Sequence, residues 1–81
     1  MVVTMRLYAM LRELAGADGC ALSLAEGASG RQAADALAAR FPRLAPLLPY
    51  ARLAVNLEYQ PWDALIRDGD ELSVVPPVSG G

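Results

Sequence analysis

One helix-forming stretch lies between two pairs of alternating runs, and this order constrains the fold more than any other feature. Ser29 with Gln32 three residues on fits a capping box, which marks a helix start. Ala33, Leu37 and Phe41 then share one stripe, with Ala34 and Ala38 beside it, while Arg31, Asp35 and Arg40 point elsewhere. Pro42 ends the pattern, so a helix is expected over residues 30–41. Its small alanines would let it sit close to a sheet.

The flanking segments read as strands. Residues 2–8 alternate, with Val3, Met5 and Leu7 on the expected core face. Residues 9–15 are good helix formers and Gly16 is a natural stop. Ala17-Asp18-Gly19 turns the chain, and Cys20 to Leu24 is the expected hairpin partner of the first strand. Residues 42–51 hold three prolines but form an ordered connection, because Leu44, Leu47, Leu48 and Tyr50 call for burial. Leu53, Val55 and Leu57 alternate as a third strand. Gln60 to Asp63 turns, Ala64-Leu65-Ile66 packs, and Asp68-Gly69-Asp70 is a tight turn. Glu71 to Val75 is the last strand, with Leu72 and Val74 inward and Ser73 and Val75 outward. Pro76 and Pro77 lack the amide hydrogens of a ladder, so sheet pairing should stop there.

An 81-residue chain has room for one domain. We expect a domain over residues 1–75 and an extended tail over 76–81. The expected class is α+β: a mixed sheet covered on one face by one main helix, with the first and last strands as central, parallel neighbours. That is the β-grasp arrangement.

Composition limits the chemistry. All seven basic residues are Arg, with no Lys and no His. The usual general base and the commonest metal ligand are therefore missing, as is the amine needed for Schiff-base chemistry. A net charge of −2 does not suit a nucleic-acid binder. Residues 58–81 carry five acids against Arg67 alone, which fits either an electropositive partner or a solvated face. No apolar run approaches the roughly 18 residues of a membrane span. The one cysteine, Cys20, cannot form an intramolecular disulfide, and Arg6, Arg12 and Glu13 interrupt any signal-peptide core. A cytoplasmic location is expected.

Side-chain motifs are sparse. Cys20 has no basic neighbour in sequence to lower its pKa and reads as a buried structural thiol. Asp68, Asp70 and Glu71 lack the calcium-loop pattern and read as a polar turn, so no metal is expected. No phosphate-binding glycine loop is present. What remains is the chain's own end. Pro76-Pro77-Val78-Ser79-Gly80-Gly81 finishes in a carboxylate on a residue with no side chain. The prolines hold the tail extended, and the glycines make it thin enough for a tunnel. A reactive C-terminus needs no catalytic His, Lys or Cys. An inert tail that happens to end in Gly-Gly is the plain alternative.

The sequence resembles the small, sulfur-carrying subunits of molybdopterin synthase, which are ubiquitin-like β-grasp proteins. The resemblance runs over essentially the whole chain. It is carried by Leu7-Tyr8-Ala9 with Leu11-Arg12-Glu13-Leu14 and Gly16, then Ala54-Val55-Asn56. Asp63 with Leu65 and Asp68-Gly69-Asp70-Glu71-Leu72 follow, and last the Pro76-to-Gly81 terminus. Val74-Val75 departs from relatives, which often have aromatic residues there. The resemblance implies that an E1-like adenylyltransferase uses ATP to adenylate the Gly81 carboxylate. Sulfur from a persulfide donor then makes a thiocarboxylate. The tail, Pro76 to Gly81, would thread into the large catalytic subunit and deliver its sulfur to precursor Z (cyclic pyranopterin monophosphate), building the molybdopterin dithiolene. It also implies a heterotetramer of two small and two large subunits, with no stably bound cofactor. Thiamine-pathway carriers and ubiquitin-related modifiers also end in Gly-Gly, and an adaptor domain with an inert tail is the alternative from another class.

Partner binding has a separate basis. Tyr8 and Val75 take the outward parity of expected neighbouring strands, and Tyr59 lies just past the third strand. Together they form either an apolar patch at the tail's root or scattered surface residues. Arg12 is either a partner's ion-pair residue or a solvated one.

Overall fold

Val2–Leu7 forms β1, and every second residue of it is buried: Val3, Met5 and Leu7. The computed structural model describes residues 1–76. After β1 the chain makes α1 (Ala9–Ala15), which ends at Gly16 with φ +71°, a left-handed cap that glycine takes without side-chain strain. The strand β2 (Gly19–Ser23) returns antiparallel to β1. The main helix, α2 (Gly30–Arg40), begins at the expected capping box. The Ser29 hydroxyl accepts from the Gln32 amide, and the Gln32 side chain accepts from the Ser29 amide.

Two further amides at the start of α2 are satisfied from outside the helix. Gly30 donates to the Ala64 carbonyl and Arg31 to the Trp62 carbonyl. The Trp62 indole donates in turn to the Ala51 carbonyl at 3.2 Å, fastening residues 61–64 to the connection before β3. That connection holds two 3-10 turns, Pro42–Leu44 and Leu48–Tyr50, anchored by buried Leu44 and Leu48 with Leu47 half-buried. Tyr50 corrects the expectation, being 72% exposed: Leu44 and Leu48 already fill the space beneath the turns.

The sheet has five strands in the order β2-β1-β5-β3-β4, where β3 is Arg52–Val55, β4 is Glu58–Gln60 and β5 is Glu71–Val75. The first and last strands are parallel neighbours at its centre, as expected. The strand β4 was not foreseen. It is a three-residue edge strand with every residue exposed, so it carries no apolar alternation to read. Its presence corrects the third strand too. That strand stops at Val55, and Leu57 lies in the turn instead of continuing the strand, 84% exposed. Leu65 is also exposed, and Ile66 is the buried side chain of that segment.

The core gathers on one face of the sheet. Val3, Met5, Leu7, Leu22, Leu53, Leu72 and Val74 meet Leu11 of α1, Ala33 and Leu37 of α2, and Leu44. Ser73, expected outward, does face away from this core but is only 4% exposed. It sits on β5, flanked by β1 and β3 and paired with Arg6 and Ala54, in the floor of a concavity that Tyr8 and Tyr59 also line. Leu72→Ala should cost about 2–5 kcal/mol, a large part of a small domain's stability. Thermal unfolding followed by circular dichroism should show a marked fall in Tm. A change of less than ~1 kcal/mol would contradict this packing.

Candidate functional site

Both helices cover the same face of the sheet, so the opposite face carries the side chains left free for other work. Register decides which of these meet. Ser73 of β5 pairs with Arg6 of β1 and Ala54 of β3, and Ala54 pairs with Tyr59 of β4. Val75 pairs with Arg52. Because β1 and β5 are parallel, their C-terminal ends lie at the same end of the sheet. Tyr8 therefore stands near Val75, where the tail begins.

The result is a shallow concavity of about 260 Å³ lined by Tyr8, Ala54, Leu57, Tyr59, Ser73 and Val75. Small, buried Ala54 and Ser73 make its floor. Tyr8 (43% exposed), Tyr59 (55%) and Leu57 form a projecting rim, with half-buried Val75. Scattered exposed apolar residues are ordinary, but a clustered set with a recessed floor is what an interface looks like. The Arg52 guanidinium lies 3.8 Å from the centre of the Tyr59 ring, a cation–π contact that holds the ring in place. Next to Ser73, Arg6 Nε lies 3.0 Å from Glu71 Oε1 in an exposed ion pair.

Three of the four residues expected at an interface, Tyr8, Tyr59 and Val75, thus come together. Arg12 does not line this concavity. It borders a neighbouring groove with Arg6, Leu7, Tyr8 and Asp18, and its Nε is 3.8 Å from Asp18 Oδ1 with both groups exposed, a pair of little energetic weight. Pro76 is half-buried after β5, and Pro77, Val78, Ser79, Gly80 and Gly81 lie outside the described residues. Sequence reasoning missed Leu57, Ala54, Ser73 and Arg52. The signal for Leu57 was Asn56, a residue that tolerates the left-handed turn conformation.

That turn is unusual. Val55 and Glu58 are paired, leaving the two-residue loop Asn56-Leu57 with φ of +49° and +71°. Positive φ at both positions defines a type I′ hairpin, whose second position favours glycine. A leucine there costs on the order of 1–3 kcal/mol. Asn56 is held firmly: its Nδ2 donates to Asp70 Oδ1 and its Oδ1 accepts from the Glu71 amide, both at 3.0 Å. Asp70 Oδ2 also accepts from the Arg67 amide, and Asp68 Oδ1 from the Val2 amide, each at 2.8 Å. These carboxylates serve a polar turn in which Gly69 has φ +83°. No group of three or more metal-ligating side chains gathers among the described residues, and no described helix is long and apolar enough to cross a membrane.

Cys20 is half-buried on β2. Burial pushes its thiol pKa up, and Arg40 pulls it partly back. The sequence showed no basic neighbour, but the fold brings α2 across so that Arg40 Nη1 donates to the Ala21 carbonyl at 3.1 Å.

A five-stranded mixed sheet with parallel central strands and both helices on one face defines a ubiquitin-like β-grasp protein. Its backbone superposes on the crystal structure of SAMP1 from Haloferax volcanii with a TM-score of 0.90, at 28% identity and with both chains fully covered. A putative molybdopterin converting factor, subunit 1, from Pyrococcus furiosus gives 0.87 at 30% identity, over 96% of this chain and 99% of that one. The chain belongs to the ThiS family, which matches residues 5–81. It is 36% identical to the molybdopterin synthase sulfur carrier subunit of Arabidopsis thaliana, over 93% of this chain and 78% of that protein.

Since a raised thiol pKa lowers the thiolate fraction at any given pH, Cys20 should react with iodoacetamide at neutral pH more slowly than free cysteine does. Arg40→Ala removes the group that lowers the pKa and should slow the reaction further. Alkylation faster than that of free cysteine would refute this account of the site.

Proposed function

We propose that this chain is the sulfur carrier of molybdenum cofactor biosynthesis and forms the small subunit of molybdopterin synthase. The observation that carries the reading is its similarity along nearly the whole length to sulfur carrier subunits of that enzyme. The Gly80-Gly81 terminus and the apolar concavity beside the tail's root support it.

In this reading the reactive group is the Gly81 carboxylate. An E1-like adenylyltransferase joins it to AMP from ATP and releases pyrophosphate, which turns a poor leaving oxygen into a good one. The outer sulfur of a persulfide donor then attacks the acyl carbon and expels AMP, and a thiol reductant cleaves the resulting acyl disulfide, releasing the donor's thiol and leaving a thiocarboxylate. The tail, Pro76, Pro77, Val78, Ser79, Gly80 and Gly81, enters the large catalytic subunit. The sulfur passes there to precursor Z to form the molybdopterin dithiolene. The large subunit supplies the acid, the base and the substrate contacts, and ATP belongs to the activating enzyme, so this chain keeps no cofactor of its own. The work belongs to the cytoplasm, where ATP is at hand and a lone thiol such as Cys20 stays reduced.

Tyr8, Tyr59 and Val75 form the docking face for the large subunit, with Arg12 at its margin. A second reading, a protein modifier, is favoured by the likeness to the small archaeal modifier protein of Haloferax volcanii. This chain has no lysine, so such conjugates would form on lysines of other proteins.

Intact mass after incubation with ATP, the activating enzyme and a sulfur donor separates these outcomes. A gain equal to one sulfur replacing one oxygen, absent when Gly81 is deleted, is expected. An unchanged mass under conditions that charge a known carrier would remove the carrier reading, and lysine-linked adducts in place of dithiolene formation would favour the modifier. Tyr59→Ala should weaken binding to the large subunit by about tenfold, read by titration calorimetry.

A further inference from the structure

Leu57 is the most exposed large apolar side chain among the described residues, and it is also one of three non-glycine residues held at positive φ. The two properties have no common explanation within the fold. The side chain is 84% exposed, so it contributes almost nothing to the core. Its backbone conformation is one that glycine would take with less strain. A bulky residue kept where both local terms disfavour it points to a use outside the folded chain.

Its position suggests the use. Leu57 follows β3 at the end opposite Arg52, whereas Val75 is paired with Arg52. Leu57 and the root of the tail therefore stand at opposite margins of one concavity, across the floor made by Ala54 and Ser73. Asn56 fixes the hairpin to the start of β5 through hydrogen bonds to Asp70 and Glu71, so the leucine is presented on a rigid base.

We propose that Leu57 is a pre-organised apolar anchor that inserts into the large catalytic subunit of molybdopterin synthase. It gives a second fixed point, remote from the tail, that sets the direction in which the tail enters. The proposal deepens the carrier reading and rests on it. The occupant is an apolar pocket of that subunit, because the exposed leucine borders a concavity lined by no charged side chain and gains by leaving water, not by pairing. Ordering costs are small, since the hairpin is already fixed before contact.

The test compares the wild-type chain with Leu57→Gly and Leu57→Ala, measuring Tm and affinity for the large subunit by titration calorimetry. Leu57→Gly should raise Tm by about 3 °C or more while weakening binding roughly 10- to 100-fold. Leu57→Ala keeps a side chain at positive φ and should weaken binding as much without the gain in Tm. Affinities of both variants within about twofold of wild type would overturn the anchor while leaving the carrier reading in place. A fall in Tm for Leu57→Gly would show that the fold itself uses the side chain and would overturn the proposal as well. A wild-type chain that accepts sulfur at Gly81 but does not bind the large subunit would refute the anchor and the synthase role together. A chain that never accepts sulfur would refute the carrier reading by itself.

Discussion

The parallel pairing of β1 with β5 is the contact on which the rest of the molecule depends. It joins the two ends of the sequence at the centre of the sheet, with Met5 beside Leu72 and Leu7 beside Val74, all four side chains in the core. Such a pairing is costly to close, because most of the chain must be ordered before it forms. It is repaid by burial on the helix-covered face and by β3 adding to the other side of β5. Parallel direction also has a functional effect. Both strands finish at the same end of the sheet, so the tail emerges beside Tyr8. An antiparallel pairing would have put Tyr8 at the far end.

The uncovered face follows from the same arrangement. Both helices lie on one side, so Arg52, Ala54, Tyr59, Ser73 and Val75 are left to the other. The side chains there are graded in size, small at the middle and large around the margin, and this makes a concavity where a flat face would otherwise stand. Polar contacts fix the surroundings: Arg6 holds Glu71, Arg52 lies on Tyr59, and Asn56 ties the β3–β4 hairpin to Asp70.

Legibility differed between the two faces. The core face could be read because burial imposes period 2 on strands and a stripe on α2. Val3, Met5, Leu7, Leu72 and Val74, and Ala33 with Leu37, all fall where the pattern places them. The open face imposes no such pattern. The strand β4 is invisible since Glu58, Tyr59 and Gln60 are all exposed, and Leu57 reads as part of the third strand because it continues the alternation of Leu53 and Val55. Tyr50 was misplaced for a similar reason, as hydrophobicity alone does not say which residue of a proline-rich connection fills the available space.

The sequence by itself determined the order of elements, the capping-box start of α2, the stops at Gly16 and Pro42, the turn at Gly69 and the Gly-Gly terminus. These are local properties, set by side-chain hydrogen bonding, backbone freedom and the missing amide of proline over a few residues. Tertiary structure alone decided which outward residues meet. Tyr8, Leu57 with Tyr59, and Val75 come from three separate segments, and their grouping depends on strand order and register, which arise from long-range burial and backbone pairing. Arg40 beside Cys20 and Ser73 enclosed on an open face have the same origin: neighbours distant in sequence set the environment, and no local pattern encodes them.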